Sequence, residues 1–237
     1  MPDTIIKNDN HQEDIQIIFE RLKKFTPTGV FHIGAHKGEE VDQYLALGFQ
    51  KIILVEADPS LYEYITKKFK KDKNVSVFNY AVCDKVGFVD FYIHKSNNGT
   101  ESSSIFKMDK LDKIVTSLKT SKTIRVPANT IDNIIHENNI NLEDYNVLVS
   151  DIQGADYFAI KGAEKSINKF DAVIVEVQCI NLYENYISEE KMDSLMKGFG
   201  FEKEFVIYHE LYKNDKRFPA WGEALYINKN KKNAKLG

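Results

Sequence analysis

The 237-residue chain is poor in cysteine, with two, in proline, with five, and in tryptophan, with one. Cys83 and Cys179 stand far apart with no C-x-x-C spacing. They suggest neither a zinc site nor a disulfide framework and read as small core residues. An excess of charge is also missing: 32 Lys and Arg face 35 Asp and Glu, a formal net charge of -3. No nucleic acid or anionic membrane is therefore expected as a partner held by bulk electrostatics. No apolar run approaches the roughly 20 residues that cross a bilayer, so no membrane span is expected. The opening MPDTIIKNDNHQED lacks the basic and apolar regions of a signal peptide, which makes the expected location cytoplasmic. A chain of this length buries one large core, and one domain is the default.

What the chain does have begins at Val30. The short apolar run VFHI leads into Gly34, Gly38 follows four residues later, and a helical pattern starts near Lys37. That is the order of a βα turn that binds a phosphate or nucleotide: Gly34 lets a ligand approach the main chain, and the helix aims free N–H groups at it. The spacing G-x-x-x-G is neither G-x-G-x-x-G nor the P-loop, because Lys37 precedes the second glycine. An ordinary strand-to-helix turn has the same local sequence. The next apolar run distinguishes the two, since Lys51 to Val55 closes with Glu56. An acid about 20 residues after such a turn is where a ribose is held through its hydroxyls.

Along the chain, residues 1–10 read as frayed, and Ile15, Ile17, Ile18, Phe19, Leu22 and Phe25 put an apolar stripe on a helix ended by Pro27 and Gly29. Asp58 and Pro59 cap and open a helix whose last turn is basic, and residues 74–80 read as a third strand. Strand and helix alternate here as in a parallel doubly wound sheet. Residues 87–93 then alternate like a half-exposed antiparallel strand, paired with residues 122–126. The polar, hydroxyl-rich stretch 96–104 between them is a ligand lid or a disordered bulge. Thr130 caps a helix, and residues 146–150 form a fourth strand ending at Asp151. Residues 172–175 form a fifth, ending at Glu176. Glu56, Asp151 and Glu176 thus sit at strand C-termini, the edge where open α/β sheets bind ligands. Strands over 201–208 and 223–228 form a terminal antiparallel pair, and the lysine-rich end looks solvated. The expected division is an N-terminal helical extension over 1–28, one domain over 29–228 and a disordered tail over 229–237.

These blocks, in this order, resemble the FkbM family of S-adenosylmethionine-dependent methyltransferases. VFHIGAHKG is similar to its D-x-G-A-N-x-G turn and LVEADP to its F-E-P-x-P strand end. NYAVCDKVGFVDFYI, SSSIF and VPANTIDNII resemble its third-strand, serine-loop and T-L-D segments. VLVSDIQGADYFAIKGA is similar to its D-V-E-G-x-E block, and VIVEVQCINLYE to its E-V to L-Y-E stretch. The resemblance runs from about residue 30 to 228. It implies a Rossmann-like methyltransferase fold: a mostly parallel, doubly wound seven-stranded sheet with an antiparallel last strand and a small β insertion after strand three. The chain departs from the pattern at His32, where the family has an acid, and at His36, Ser150, Gln153 and Asp156.

Carried onto this sequence, the resemblance implies S-adenosyl-L-methionine as cofactor. The turn of His32, Gly34, Ala35, His36 and Gly38 would lie against its methionine part, Glu56 and Ala57 at its ribose, Asn79 and Ala81 at its adenine. Asp151 would face the place where donor and acceptor meet. A hydroxyl acceptor needs a general base, for which Asp151, Glu176 and His36 are candidates. Ser103, Ser104, Tyr183 and Glu223 are expected on the acceptor side. Asp151 with Asp156 or Glu176 has the oxygen ligands that Mg²⁺ takes, but no compact acidic cluster is visible and no metal is expected. The function implied is O-methylation of a saccharide or small hydroxylated metabolite. The alternative is a non-catalytic cofactor-binding or scaffold domain, suggested by His32, Ser150 and Gln153. Oligomeric state stays open.

Overall fold

A computed structural model describes residues 3–7, 11–22, 26–95, 102–114, 117–213 and 216–232. In chain order the elements are β1 (Asp3–Lys7), α1 (His11–Leu22), β2 (Gly29–Ile33), α2 (Val41–Ala46), β3 (Lys51–Val55), α3 (Pro59–Lys68), β4 (Val75–Phe78), β5 (Ala81–Val82) and β6 (Gly87–Lys95). They continue with α4 (Leu111–Ile114), β7 (Lys119–Asn129), α5 (Ile131–Glu137), β8 (Val147–Ser150), α6 (Asp156–Lys161), β9 (Ala172–Gln178), α7 (Glu189–Gly198), β10 (Phe201–Lys213), β11 (Lys216–Asn228) and α8 (Lys229–Lys232).

The main sheet has the order β1-β10-β11-β9-β8-β2-β3-β4. From β9 to β4 neighbouring strands are parallel, and β11 runs antiparallel to both β9 and β10. β2, β8 and β9 are buried along their whole length, as expected for parallel strands covered on both faces. Alternate residues serve opposite layers. Phe31, Ile33, Leu148, Val173 and Val175 pack in one core. Val30, Val147, Val149 and Ile174 pack in the other, with Ile18, Phe19 and Leu22 of α1. The chain leaves β2 toward β3 on one side and reaches β8 on the other, so the sheet changes winding direction at the C-terminal end of β2. Ligand crevices form at that point in such sheets. The expected β insertion is a three-stranded sheet of order β5-β7-β6, with β6 antiparallel to β7.

Four expectations change. Residues 3–7, read as frayed, form β1, which pairs in parallel with β10 from Asp3 opposite Phe205 to Lys7 opposite His209. This gives the expected seven-stranded sheet an eighth strand. The helix expected from Lys37 begins at Val41, because His36 and Gly38 both take positive φ, 44° and 63°, which no helical turn tolerates. β9 runs on to Gln178, so Glu176 lies within the strand and not at its end. At the C-terminus, Lys229–Lys232 are helical. The caps follow the sequence: Asp58 accepts from the Ser60 N–H at 2.8 Å and Thr130 from the Asn133 N–H at 3.1 Å. Cys83 is buried, Cys179 is half-buried, and both are free thiols. No helix among the described residues is long and apolar enough to cross a membrane. Most of the loop read as a lid or bulge, 96–101, lies outside the described residues, as do 233–237 of the tail.

Candidate functional site

The C-terminal ends of β2 and β8 touch. A Cβ built on Gly34, whose φ is +85°, would lie 1.9 Å from the Asp151 carbonyl oxygen, so only glycine lets the two strand ends approach this closely. Two openings flank the contact. On one side is a narrow slot between the ends of β3 and β5, with an inner volume of about 60 Å³ within about 560 Å³ of empty space counted to its mouth. On the other is a chamber under α1 and α2, about 440 Å³ within about 1520 Å³. Gly34, His36, Asp151 and Gln153 line both.

Glu56 stands at the slot. Its two carboxylate oxygens accept the N–H groups of Asp58 and His36, each at 2.8 Å, so the acid at the end of β3 ties down the turn after β2. Burial, eased in part by those two N–H donors, pushes its pKa up to about 7. Each oxygen keeps a further lone pair for a hydroxyl donor. Ala57 and Ala81 line the slot, with Tyr80, Phe91 and Ile105 as its apolar walls. Asn79 does not line it. Its amide donates to the carbonyls of Glu56 and Ala57 at 2.7 and 3.2 Å and so braces the strand end.

In the chamber, His32 is buried, hydrogen-bonded through Nδ1 to the Tyr44 hydroxyl at 3.0 Å and packed edge-on to its ring. Ala35 is fully buried in the core between α1 and α3, and Gly38 packs against Phe69. Neither lines an opening; they shape the turn. His36 Nδ1 meets Glu39 at 3.0 Å. Burial opposes ionisation of Glu39, but the His36 hydrogen bond, the His36 charge and two backbone N–H groups outweigh it and lower its pKa.

Between the openings, Gln153 takes φ of +56°, a strained conformation for a side chain of this type. Its amide NH₂ donates to Asp151 at 2.7 Å and to Glu176 at 3.0 Å, and its carbonyl oxygen accepts from the Tyr183 hydroxyl at 2.9 Å. Asp156 lies beneath, accepting from Ser150 Oγ at 2.6 Å. Burial, then the charge of Asp151, pushes Asp156 up to about 8. Glu176 is raised well above the usual carboxylate range by burial, then by Asp151, Asp156 and Glu223. Among the described residues no group of three or more His, Cys, Asp or Glu is placed to hold a metal ion.

Of the four residues expected on the acceptor side, Ser103 lines the slot and Glu223 the chamber. Ser104 and Tyr183 line neither. The Ser104 hydroxyl donates to the Gln153 carbonyl at 2.8 Å, and that of Tyr183 also reaches the Ser102 carbonyl, so both moor the serine segment to Gln153. Sequence reasoning missed Tyr44, Phe19 and Trp221 as chamber walls. Trp221 is the single tryptophan of the chain, which was the available signal, and it lies in β11 opposite Gln178.

A family model of the methyltransferase FkbM domain matches residues 32–203. No curated protein matches the chain. Solved structures similar to it include ribosomal protein L11 methylase from Lactobacillus delbrueckii subsp. bulgaricus, at 11% identity over 93% of this chain and 80% of that one, with TM-score 0.48. The methyltransferase domain of bacterial CtHen1 is similar at 14% identity over 92% and 97%, with TM-score 0.47. TrmK of M. capricolum in complex with S-adenosyl-homocysteine is similar at 7% identity over 90% and 68%, with TM-score 0.43.

Proposed function

The chain belongs to the methyltransferase FkbM family, and from that premise we propose that it methylates a hydroxyl of a saccharide or another small hydroxylated metabolite in the cytoplasm. Its cofactor is S-adenosylmethionine. The observation that carries the acceptor side of the reading is the position of Asp151, which lines both the slot and the chamber.

The donor set fits the cofactor. Glu56 offers two carboxylate oxygens with spare lone pairs to the ribose hydroxyls, and Gly34 lines both the slot and the chamber. Tyr80, Phe91 and Ile105 supply flat apolar walls for a base. When bound, S-adenosylmethionine supplies a methyl group on a sulfonium that is already a good leaving group. Positioning and removal of the acceptor's proton are left to the chain. Asp151 takes that proton: one of its oxygens is fixed by Gln153, which leaves the other for the acceptor hydroxyl. Glu176, whose pKa burial and the neighbouring acids raise, already accepts from Gln153 and is not assigned as the base. The free thiols Cys83 and Cys179 suit a reducing compartment.

A second reading, a domain that binds the cofactor without catalysis, has one observation behind it. The Gln153 amide donates to Asp151 and so occupies one of the two oxygens that would take the acceptor's proton. Labelled S-adenosylmethionine offered with saccharides of differing hydroxyl patterns separates the two. Label on a saccharide oxygen is expected, and Asp151→Asn should lower the transfer rate about 10²–10⁴-fold. Label found only on nitrogen or carbon acceptors refutes O-methylation. Cofactor binding without transfer to any acceptor supports the second reading.

A further inference from the structure

The chamber wall carries five carboxylates, Glu39, Glu40, Asp151, Glu176 and Glu223, and no lysine or arginine among the described residues. Acids alone do not make a site, but one of these is anomalous. Glu176 shares its face of β9 with the buried Gln178, is 7% exposed, and has one carboxylate oxygen, Oε1, with no hydrogen-bond partner. Its other oxygen accepts from Gln153. A buried carboxylate oxygen left unsatisfied is costly. Here it belongs to a residue that lines a chamber large enough for a small ligand, and such a ligand can bring a donor to it.

The neighbours narrow the donor's chemistry. Glu223 stands directly across the strand pair from Glu176, and its Oε2 meets His209 Nε2 at 2.8 Å. The same His209 ring stacks on Trp221, with centroids 5.1 Å apart and planes 14° from parallel. One imidazole therefore orients both an acid and an indole face of the chamber. Paired acids beside an indole are the surroundings in which a cation is held, through charge-assisted hydrogen bonds and attraction to the ring face. A phosphate or carboxylate would meet like charge from these carboxylates.

We propose that the chamber selects an acceptor bearing a protonated amine near its hydroxyls, of the amino-sugar or aminated-polyol class, with Glu176 and Glu223 as the amine's partners and Trp221 packed against its carbon face. This rests on the methyl-transfer reading above and adds the charge of the acceptor to it. The amine is distinct from the cofactor's own ammonium group, so the two must bind together.

The probes are glucamine and its uncharged counterpart sorbitol, titrated by calorimetry into the full chain with and without saturating S-adenosylhomocysteine. Glucamine is expected to bind the S-adenosylhomocysteine complex at least about tenfold more tightly than sorbitol. Glu176→Gln should shrink that preference to within about twofold, and Glu223→Gln should reduce it independently. Equal affinities for the two polyols, or heat from neither, overturn the proposal. So does displacement of glucamine by S-adenosylhomocysteine, which would make the amine a stand-in for the cofactor's ammonium. If S-adenosylhomocysteine itself fails to bind, the methyl-transfer reading falls, while the cofactor-free titrations still decide whether the chamber prefers an amine.

Discussion

Replacing Glu56 by Gln tests whether the acid at the end of β3 pays for its position in ionisation energy. Its pKa is about 7 in the folded protein against 4.5 for the unperturbed group. The unfolded chain therefore releases this proton first, and between those values the native state binds more protons than the unfolded one. Stability contributed by this group is whole at low pH and is lost as pH rises toward and through about 7. The full difference is about 3 kcal/mol, of which about 2.5 kcal/mol falls between about pH 5 and pH 8.5. Gln at this position has no such dependence. It also turns an amide NH₂ toward either the His36 or the Asp58 N–H, losing one bond worth about 1–3 kcal/mol at every pH. The variant should thus be less stable than the parent at about pH 5 and close to it at about pH 8.5. Urea unfolding of both proteins at the two pH values measures this, because groups common to both cancel in the double difference. A double difference near zero would mean that Glu56 is ionised at little cost and would refute the reasoning. Since the ionised carboxylate is the better acceptor for ribose hydroxyls, S-adenosylhomocysteine affinity should rise as pH passes about 7 in the parent. In Glu56→Gln it should be weaker throughout and nearly flat with pH.

Gly34→Ala should destabilise the fold by at least about 2 kcal/mol, since a left-handed backbone penalty adds to a Cβ placed against the Asp151 carbonyl; an unchanged thermal midpoint would show that β2 and β8 separate freely there. Gln153→Asn tolerates the positive φ but is too short to keep both donor bonds. It should cost about 1–3 kcal/mol, less as pH falls and Glu176 takes up its proton, and a cost independent of pH would count against the bridge. Asn79→Ala should lower stability by about 1–2 kcal/mol through loss of its two carbonyl partners, while adenosine competes with S-adenosylhomocysteine as well as it does in the parent. A selective loss of adenosine competition would place Asn79 at the adenine.

The Gly34 turn, Glu56, Asp151 and the β insertion were legible because each rests on local pattern: alternation of two, apolar runs and a glycine in a fixed place. The segment 3–7 was not legible. Thr4, Ile5 and Ile6 form a run too short to stand out among polar neighbours, and they become a strand only because the edge of β10, some 200 residues away, is there to pair with. The start of α2 was misread for a related reason. The apolar spacing fits a helix from Lys37, but the positive φ of His36 and Gly38 is imposed by the hydrogen bond from the His36 N–H to Glu56 across 20 residues. Glu176 was placed at a strand end because an acid usually closes a buried strand. The two further residues of β9 are held by β11, where Gly222 and Trp221 lie opposite Val177 and Gln178. The chamber as a whole was invisible for the same cause: its walls come from α1, α2, β8, β9 and β11, and no local window contains them.

The departures from the family pattern acquire a physical sense once the acids are seen together. Two like charges about 4 Å apart cost about 4 kcal/mol at an effective dielectric near 20, so a carboxylate at position 153, wedged between Asp151 and Glu176, would add repulsion where this chain already gathers three acids. The Gln153 amide donates to both neighbours instead, and Ser150 donates to the third, Asp156. Even so, Asp156 and Glu176 remain displaced toward their neutral forms. The charge state of the chamber is therefore open to whatever enters it: a cation stabilises the ionised form of Glu176, and binding must then release protons. An uncharged ligand would release none. The number of protons released on binding, read from calorimetry in buffers of different ionisation enthalpy, thus reports the charge of the ligand before its identity is known.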